Sequence, residues 1–143
     1  IDAAVGTSDG PTVDAPLRAA TCADPQPFPA TGGVTGGTTA GRMNSVSAMC
    51  SASVMNGADA VYRIGATTGA QLLVSVSGYT NVAAYVIGAC TGTPATPICL
   101  GSTAAMPGSP INVTASSTGQ YFIVVDSANA GASGAYTLTV DVQ

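Results

Sequence analysis

The strongest constraint on this chain is a two-residue beat in its apolar side chains. It is clearest near the end, where Tyr136, Leu138, Val140 and Val142 alternate with Thr137, Thr139 and Asp141. Successive side chains of an extended strand point to opposite faces, so this run buries one face and wets the other. A surface helix needs apolar positions three and four residues apart, and no stretch of the sequence sustains that spacing.

The same beat, or a short fully apolar run, returns at intervals between Gly, Pro and Asn. Residues 60–64 (Ala-Val-Tyr-Arg-Ile) lead into a Gly-Ala-Thr-Thr-Gly turn. Residues 71–77 set Leu72, Val74 and Val76 against Leu73, Ser75 and Ser77. Residues 82–87 are apolar on both faces, which predicts a central strand. Ile111, Val113 and Ala115 alternate with Asn112 and Thr114, and residues 121–126 read as a buried strand ending in Asp126. Shorter pieces are predicted at 32–39 and 97–100, whereas 41–58 reads as irregular, with a helical turn near Ser45 to Cys50. Seven or eight short strands joined by turns predict an all-β chain folded as one β-sandwich or jelly roll.

A chain of 143 residues supports one such core and not two. The expected division is a domain over 22–143 preceded by an extended N-terminal arm over 1–21. The arm holds Asp2, Asp9 and Asp14, with Asp24 just beyond it, and is rich in Pro and Gly, the composition of a linker. Ile1, Ala3 and Val5 nevertheless alternate with Asp2 and Ala4 in a weak strand pattern. The first residue is Ile rather than Met, as it would be after removal of a signal peptide or propeptide, or at an expression boundary.

Charge excludes several functions. The cations are Arg18, Arg42 and Arg63, the acids are seven Asp, and Lys, His, Glu and Trp are absent, for a net charge of -4. Three scattered arginines make no basic stripe, so nucleic acid is not a partner, and no apolar run approaches a membrane span. Nucleophilic catalysis by Ser or Cys needs a neighbouring base such as His or Lys, and neither residue exists here. Asp59 and Asp126 could converge as a carboxylate pair, but one follows a turn and the other ends a strand, positions that assign both to backbone hydrogen bonding. The residues therefore supply no catalytic, cofactor or metal site. For carbohydrate, which stacks on exposed aromatics, the best candidate is Tyr79 in a turn.

Cys22, Cys50, Cys90 and Cys99 include no Cys-x-x-Cys pair, which favours two disulfides over zinc. Disulfides imply export to an oxidising compartment, hence a secreted, extracellular or cell-surface protein. Four cysteines allow three connectivities. The expected one joins Cys22 to Cys50 and Cys90 to Cys99, because the latter two flank a Thr/Pro-rich strand connection.

Several segments occur in a familiar order. They are Asn56-Gly-Ala-Asp-Ala-Val-Tyr-Arg-Ile, Gly69-Ala-Gln-Leu-Leu-Val-Ser-Val, Ala84-Tyr-Val-Ile-Gly-Ala-Cys, Gly119-Gln-Tyr-Phe-Ile-Val-Val-Asp and Ser133-Gly-Ala-Tyr-Thr-Leu-Thr-Val. Together they resemble the bacterial pre-peptidase C-terminal (PPC) domain, in the four-cysteine form of secreted myxobacterial-type proteins, over residues 22–142. The resemblance implies a compact β-sandwich that accompanies a secreted protease or cell-surface protein. Some relatives bind calcium, and many carry an acidic pair shortly after the second cysteine of the loop bridge. This chain has Leu100-Gly-Ser-Thr there instead, so the calcium site does not carry over.

Low charge, small residues and disulfides predict a non-enzymatic structural subunit of a filament, sheath or surface layer. Self-association would run through the arm, with Ile1, Ala3, Val5, Val13 and Leu17 donated to a neighbouring copy. The alternative is a glycan- or protein-binding accessory module of a secreted enzyme.

Overall fold

A computed structural model describes residues 19–50, 53–91, 97, 99–103 and 108–143. Among them there is no α-helix, and eleven strands follow in order. They are β1 (Gln26–Pro27), β2 (Gly32–Thr38), β3 (Ala48–Cys50), β4 (Ser53–Met55), β5 (Ala60–Ala66), β6 (Gln71–Gly78), β7 (Ala83–Ile87), β8 (Cys99–Ser102), β9 (Ile111–Thr114), β10 (Gly119–Asp126) and β11 (Ala135–Val142). Five form one sheet in the order β1-β5-β10-β7-β8, four form a second in the order β2-β11-β6-β9, and β3 and β4 pair as a separate hairpin. The protein is an all-β sandwich. Except for the parallel contact of β1 with β5, all pairings are antiparallel.

The two-residue beat builds the main core. Leu72 and Val74 on β6, Val113 on β9 and Leu138 and Val140 on β11 face Ile64 on β5, Val86 on β7 and Ile123 and Val125 on β10. Two phenols also cross this core. Tyr62 of one sheet and Tyr136 of the other share a buried hydrogen bond of 2.6 Å, and Phe28 meets the Tyr62 ring edge-on at 5.9 Å. Gly37, opposite Tyr136 in the ladder, leaves room for that ring, because a Cβ there would strike the phenol.

A second core lies on the outer face of the five-stranded sheet. Val61, Tyr85, Ile87 and Val124 pack there beneath Val46, Ala48, Cys50 and Met55 from the hairpin segment. This explains why β7 is apolar on both faces: one face meets the opposite sheet and the other meets the hairpin. The region expected to be irregular, with a helical turn, is thus a third β layer. Its strands are three residues each, too short to show a period.

The disulfide pairing also differs from the expected one. Cys22 is bonded to Cys90 and Cys50 to Cys99, with Cα atoms 5.3 and 5.2 Å apart. The register explains it. Ile87 of β7 faces Cys99 of β8, so Cys90 has run three residues past that point, about 10 Å of extended chain. Cys99 instead meets Cys50 on β3, which packs against β8. Cys22 ties the segment before β1 to the end of β7. Two disulfides mark a secreted or extracellular-type protein.

Candidate functional site

Among the described residues, the β3–β4 hairpin presents an exposed apolar pair on an uncharged segment. Residues 43–58 contain no charged side chain. Met55 is fully buried beneath the hairpin, whereas Met49 and Val54 face each other across it on the outside, 57% and 43% exposed. Leu100, on the neighbouring β8, and Met43, ahead of β3, are also exposed. Val34, the remaining large exposed apolar residue among the described ones, is on β2 of the opposite sheet. Met49 and Val54 thus form an exposed apolar pair on a hairpin that carries no charge.

The hairpin is fixed at its tip and at both feet. The tip is held by the Cys50–Cys99 bridge. At the leading foot, the Asp59 carboxylate accepts hydrogen bonds from the Ser45 and Val46 backbone N–H, both 2.8 Å, and from the Ser45 hydroxyl at 2.6 Å. At the trailing foot, the backbone N–H groups of Asn56 and Gly57 donate to the Ser127 carbonyl at 3.0 and 2.9 Å.

Strand parity puts both carboxylates under the hairpin. Asp59 shares its face with Val61, and Asp126 shares its face with Val124. The β5–β10 ladder pairs Ala60 with Val125, so one further step sets Asp59 opposite Asp126. Both are buried, at 2% and 0% exposure. Asp126 accepts from the Tyr85 hydroxyl at 2.8 Å and from the Ser127 N–H at 2.6 Å. Burial pushes its carboxyl up to about 8, against the pull of these hydrogen bonds and with added repulsion from Asp59. Burial also raises Asp59, opposed by its hydrogen bonds and by Arg42. The Tyr85 hydroxyl is held un-ionised far above its usual range by burial and by the neighbouring carboxylate.

The two aspartates do converge, as the sequence allowed, and their role is hydrogen bonding. At such depth neither carboxylate meets a substrate, so the pair does not serve glycosidic acid–base chemistry. No group of three or more metal-ligating side chains occurs among the described residues. The arm residues Ile1, Ala3, Val5, Val13 and Leu17 lie outside the described residues.

The aromatics decide against a stacking platform. The chain has five Tyr and two Phe, and none of the seven is exposed: Phe28, Tyr62, Tyr85, Tyr121 and Tyr136 are buried, and Tyr79 and Phe122 are half-buried. The Tyr79 hydroxyl donates to the Asp126 carbonyl at 3.2 Å, so the residue expected to meet sugar is an internal brace. A shallow groove of about 470 Å³ opens at the other end of the sandwich, among Ala30, Ala66, Thr67, Ala70, Gln120 and Val142. It offers no titratable side chain and no aromatic.

No family model matches the chain, and no curated protein matches it. Solved structures do. Aeromonas hydrophila PliG, a periplasmic lysozyme inhibitor of g-type lysozyme, is 19% identical, with 82% of this chain and 96% of that chain covered and a TM-score of 0.55. Salmonella Typhimurium PliG, also a periplasmic inhibitor of g-type lysozyme, is 12% identical, with coverage of 82% and 98% and a TM-score of 0.50. At these identities the likeness shows the fold. These neighbours are inhibitors, not enzymes, and what they act on is another protein. The finding corrects the expectation of a self-associating filament, sheath or surface-layer subunit. Much of the apolar composition behind that expectation fills two stacked internal cores.

Proposed function

We propose that this protein is a non-catalytic binding module for another extracytoplasmic protein, and that it docks through the outer face of the β3–β4 hairpin. The observation that carries the reading is the exposed Met49–Val54 pair on an uncharged, disulfide-anchored hairpin. Protein interfaces favour Met at their centres and exclude charge from them. A glycan partner is disfavoured by the lack of any exposed aromatic.

The fold neighbours suggest the partner's kind, a wall-degrading enzyme such as a g-type lysozyme. The chain is then a stoichiometric inhibitor with no turnover of its own. The experiment is lysis of bacterial cell walls by purified g-type lysozymes, with this protein added in rising amounts. Inhibition that saturates near one copy per enzyme supports the reading. Undiminished lysis at a large excess of the protein refutes the inhibitor role.

A second reading follows from the ordered segments and four cysteines that resemble the PPC domain: an accessory module that accompanies a secreted enzyme. It shares the non-catalytic character and would show itself as a protease encoded on the same precursor.

A further inference from the structure

We infer that Asp59 and Asp126 act together as a proton-holding clamp on the β3–β4 hairpin, which grips while the pair keeps a proton and loosens when the proton is lost. This concerns regulation of the proposed docking face and rests on that reading for its functional meaning.

The geometry carries the inference. The β5–β10 pairing ends at Ala60 with Val125, so Asp59 and Asp126 flank that last pair on adjacent chain segments, where like charges repel. Asp59 fastens the leading foot through Ser45 and Val46, and Asp126 holds Ser127, whose carbonyl accepts from Asn56 and Gly57 at the trailing foot. The groups that face them are few. Tyr85 donates from β7, Tyr79 reaches the Asp126 carbonyl from the turn before β7, and Arg42 approaches Asp59 from the loop before β3. Arg42 brings one positive charge toward two acids, and its guanidinium is already engaged with the carbonyls of Thr38 and Ala19. Burial of both acids, with Asp59 adding repulsion at Asp126, disfavours a second negative charge here.

The sign follows from linkage. The Asp126 carboxyl is at about 8 with the hairpin closed, and returns toward its ordinary 3.8 once released into water. A group whose closed-state value is raised favours closure fully below the released-state value, and loses that effect as pH rises toward the closed-state value. The window is therefore about pH 4 to 8, with the hairpin tightest in acid. The Cys50–Cys99 bridge keeps the tip attached throughout, so loosening is confined to the feet.

The test is amide hydrogen exchange of the full chain between pH 6 and 8, corrected for intrinsic rates. Protection at Val46, Asn56 and Gly57 should fall by about tenfold or more, while β10 and β11 change little. Asp126→Asn, which cannot ionise, should keep the feet protected throughout. Equal protection of the feet at both pH values, or the same loss in Asp126→Asn, overturns the clamp. Should that variant fail to fold, carboxyl carbon shifts of the unaltered protein decide. A pair member titrating above pH 6 supports the clamp, and both titrating below pH 6 overturns it. Neither readout involves a partner, so failure here leaves the docking reading standing, and failure of docking leaves the clamp.

Discussion

Met49 and Met55 stand on the same short hairpin, yet truncating them should have opposite consequences. Met55 is fully buried among Val61, Tyr85, Ile87 and Val124, so Met55→Ala removes side-chain contacts and leaves a cavity beneath a hairpin pinned by its disulfide. Substitutions of this type cost about 2–5 kcal/mol, and a pinned hairpin has little freedom to collapse into the space, so the loss should be at least about 3 kcal/mol. For a domain of this size that lowers the melting temperature by roughly 10 °C. Met49 is 57% exposed and points away, so Met49→Ala should stay within about 0.5 kcal/mol of the parent. Urea unfolding of the two variants gives the comparison directly. A one-residue slip would turn every side chain of the hairpin over. A larger loss for Met49→Ala than for Met55→Ala would therefore refute the third layer as described.

Three further outcomes follow from the packing. Tyr62→Phe or Tyr136→Phe alone leaves the partner hydroxyl unsatisfied in the core and should cost about 1–3 kcal/mol, whereas the double variant should cost clearly less than the sum, as read by denaturant midpoints. Because burial raises both Asp59 and Asp126, thermal stability should fall from pH 5 to pH 8, by on the order of a few kcal/mol for the pair, and a rise over that range would contradict the burial. Non-reducing peptide maps should show Cys22 with Cys90 and Cys50 with Cys99. Replacing both members of either bridge by Ala should cost about 4 kcal/mol, given sequence separations of 68 and 49.

Much of the sandwich was legible because its strands alternate. The pattern from Tyr136 to Val142 became β11, and the one at Leu72 and Val74 became β6, each with the expected face inward. The apolar run of β7 marks it as interior, but nothing local says that the β3–β4 hairpin, far upstream in the chain, covers its outer face. That hairpin escaped notice because its exposed positions carry Met49 and Val54, so its apolar beat is blurred on both faces. The cysteine pairing failed for a related cause. Proximity in sequence favoured Cys90 with Cys99, while the β7–β8 register set them about three residues apart along the ladder. Asp59 and Asp126 could be singled out as a pair, but the ladder step that makes them opposite neighbours needs strand register, which no single-strand pattern contains.

The docking face itself is tested most directly by binding. Purified g-type lysozyme would be titrated onto the immobilised 143-residue chain and onto a Met49→Asp/Val54→Asp variant, with melting curves recorded for both. Both side chains point outward, so the variant should melt with the parent. Two charges at the centre of an apolar contact should weaken binding by about a hundredfold or more. Equal binding by parent and variant, or no binding by the parent at any concentration reached, would contradict the assignment of this hairpin as the face that meets a lysozyme partner.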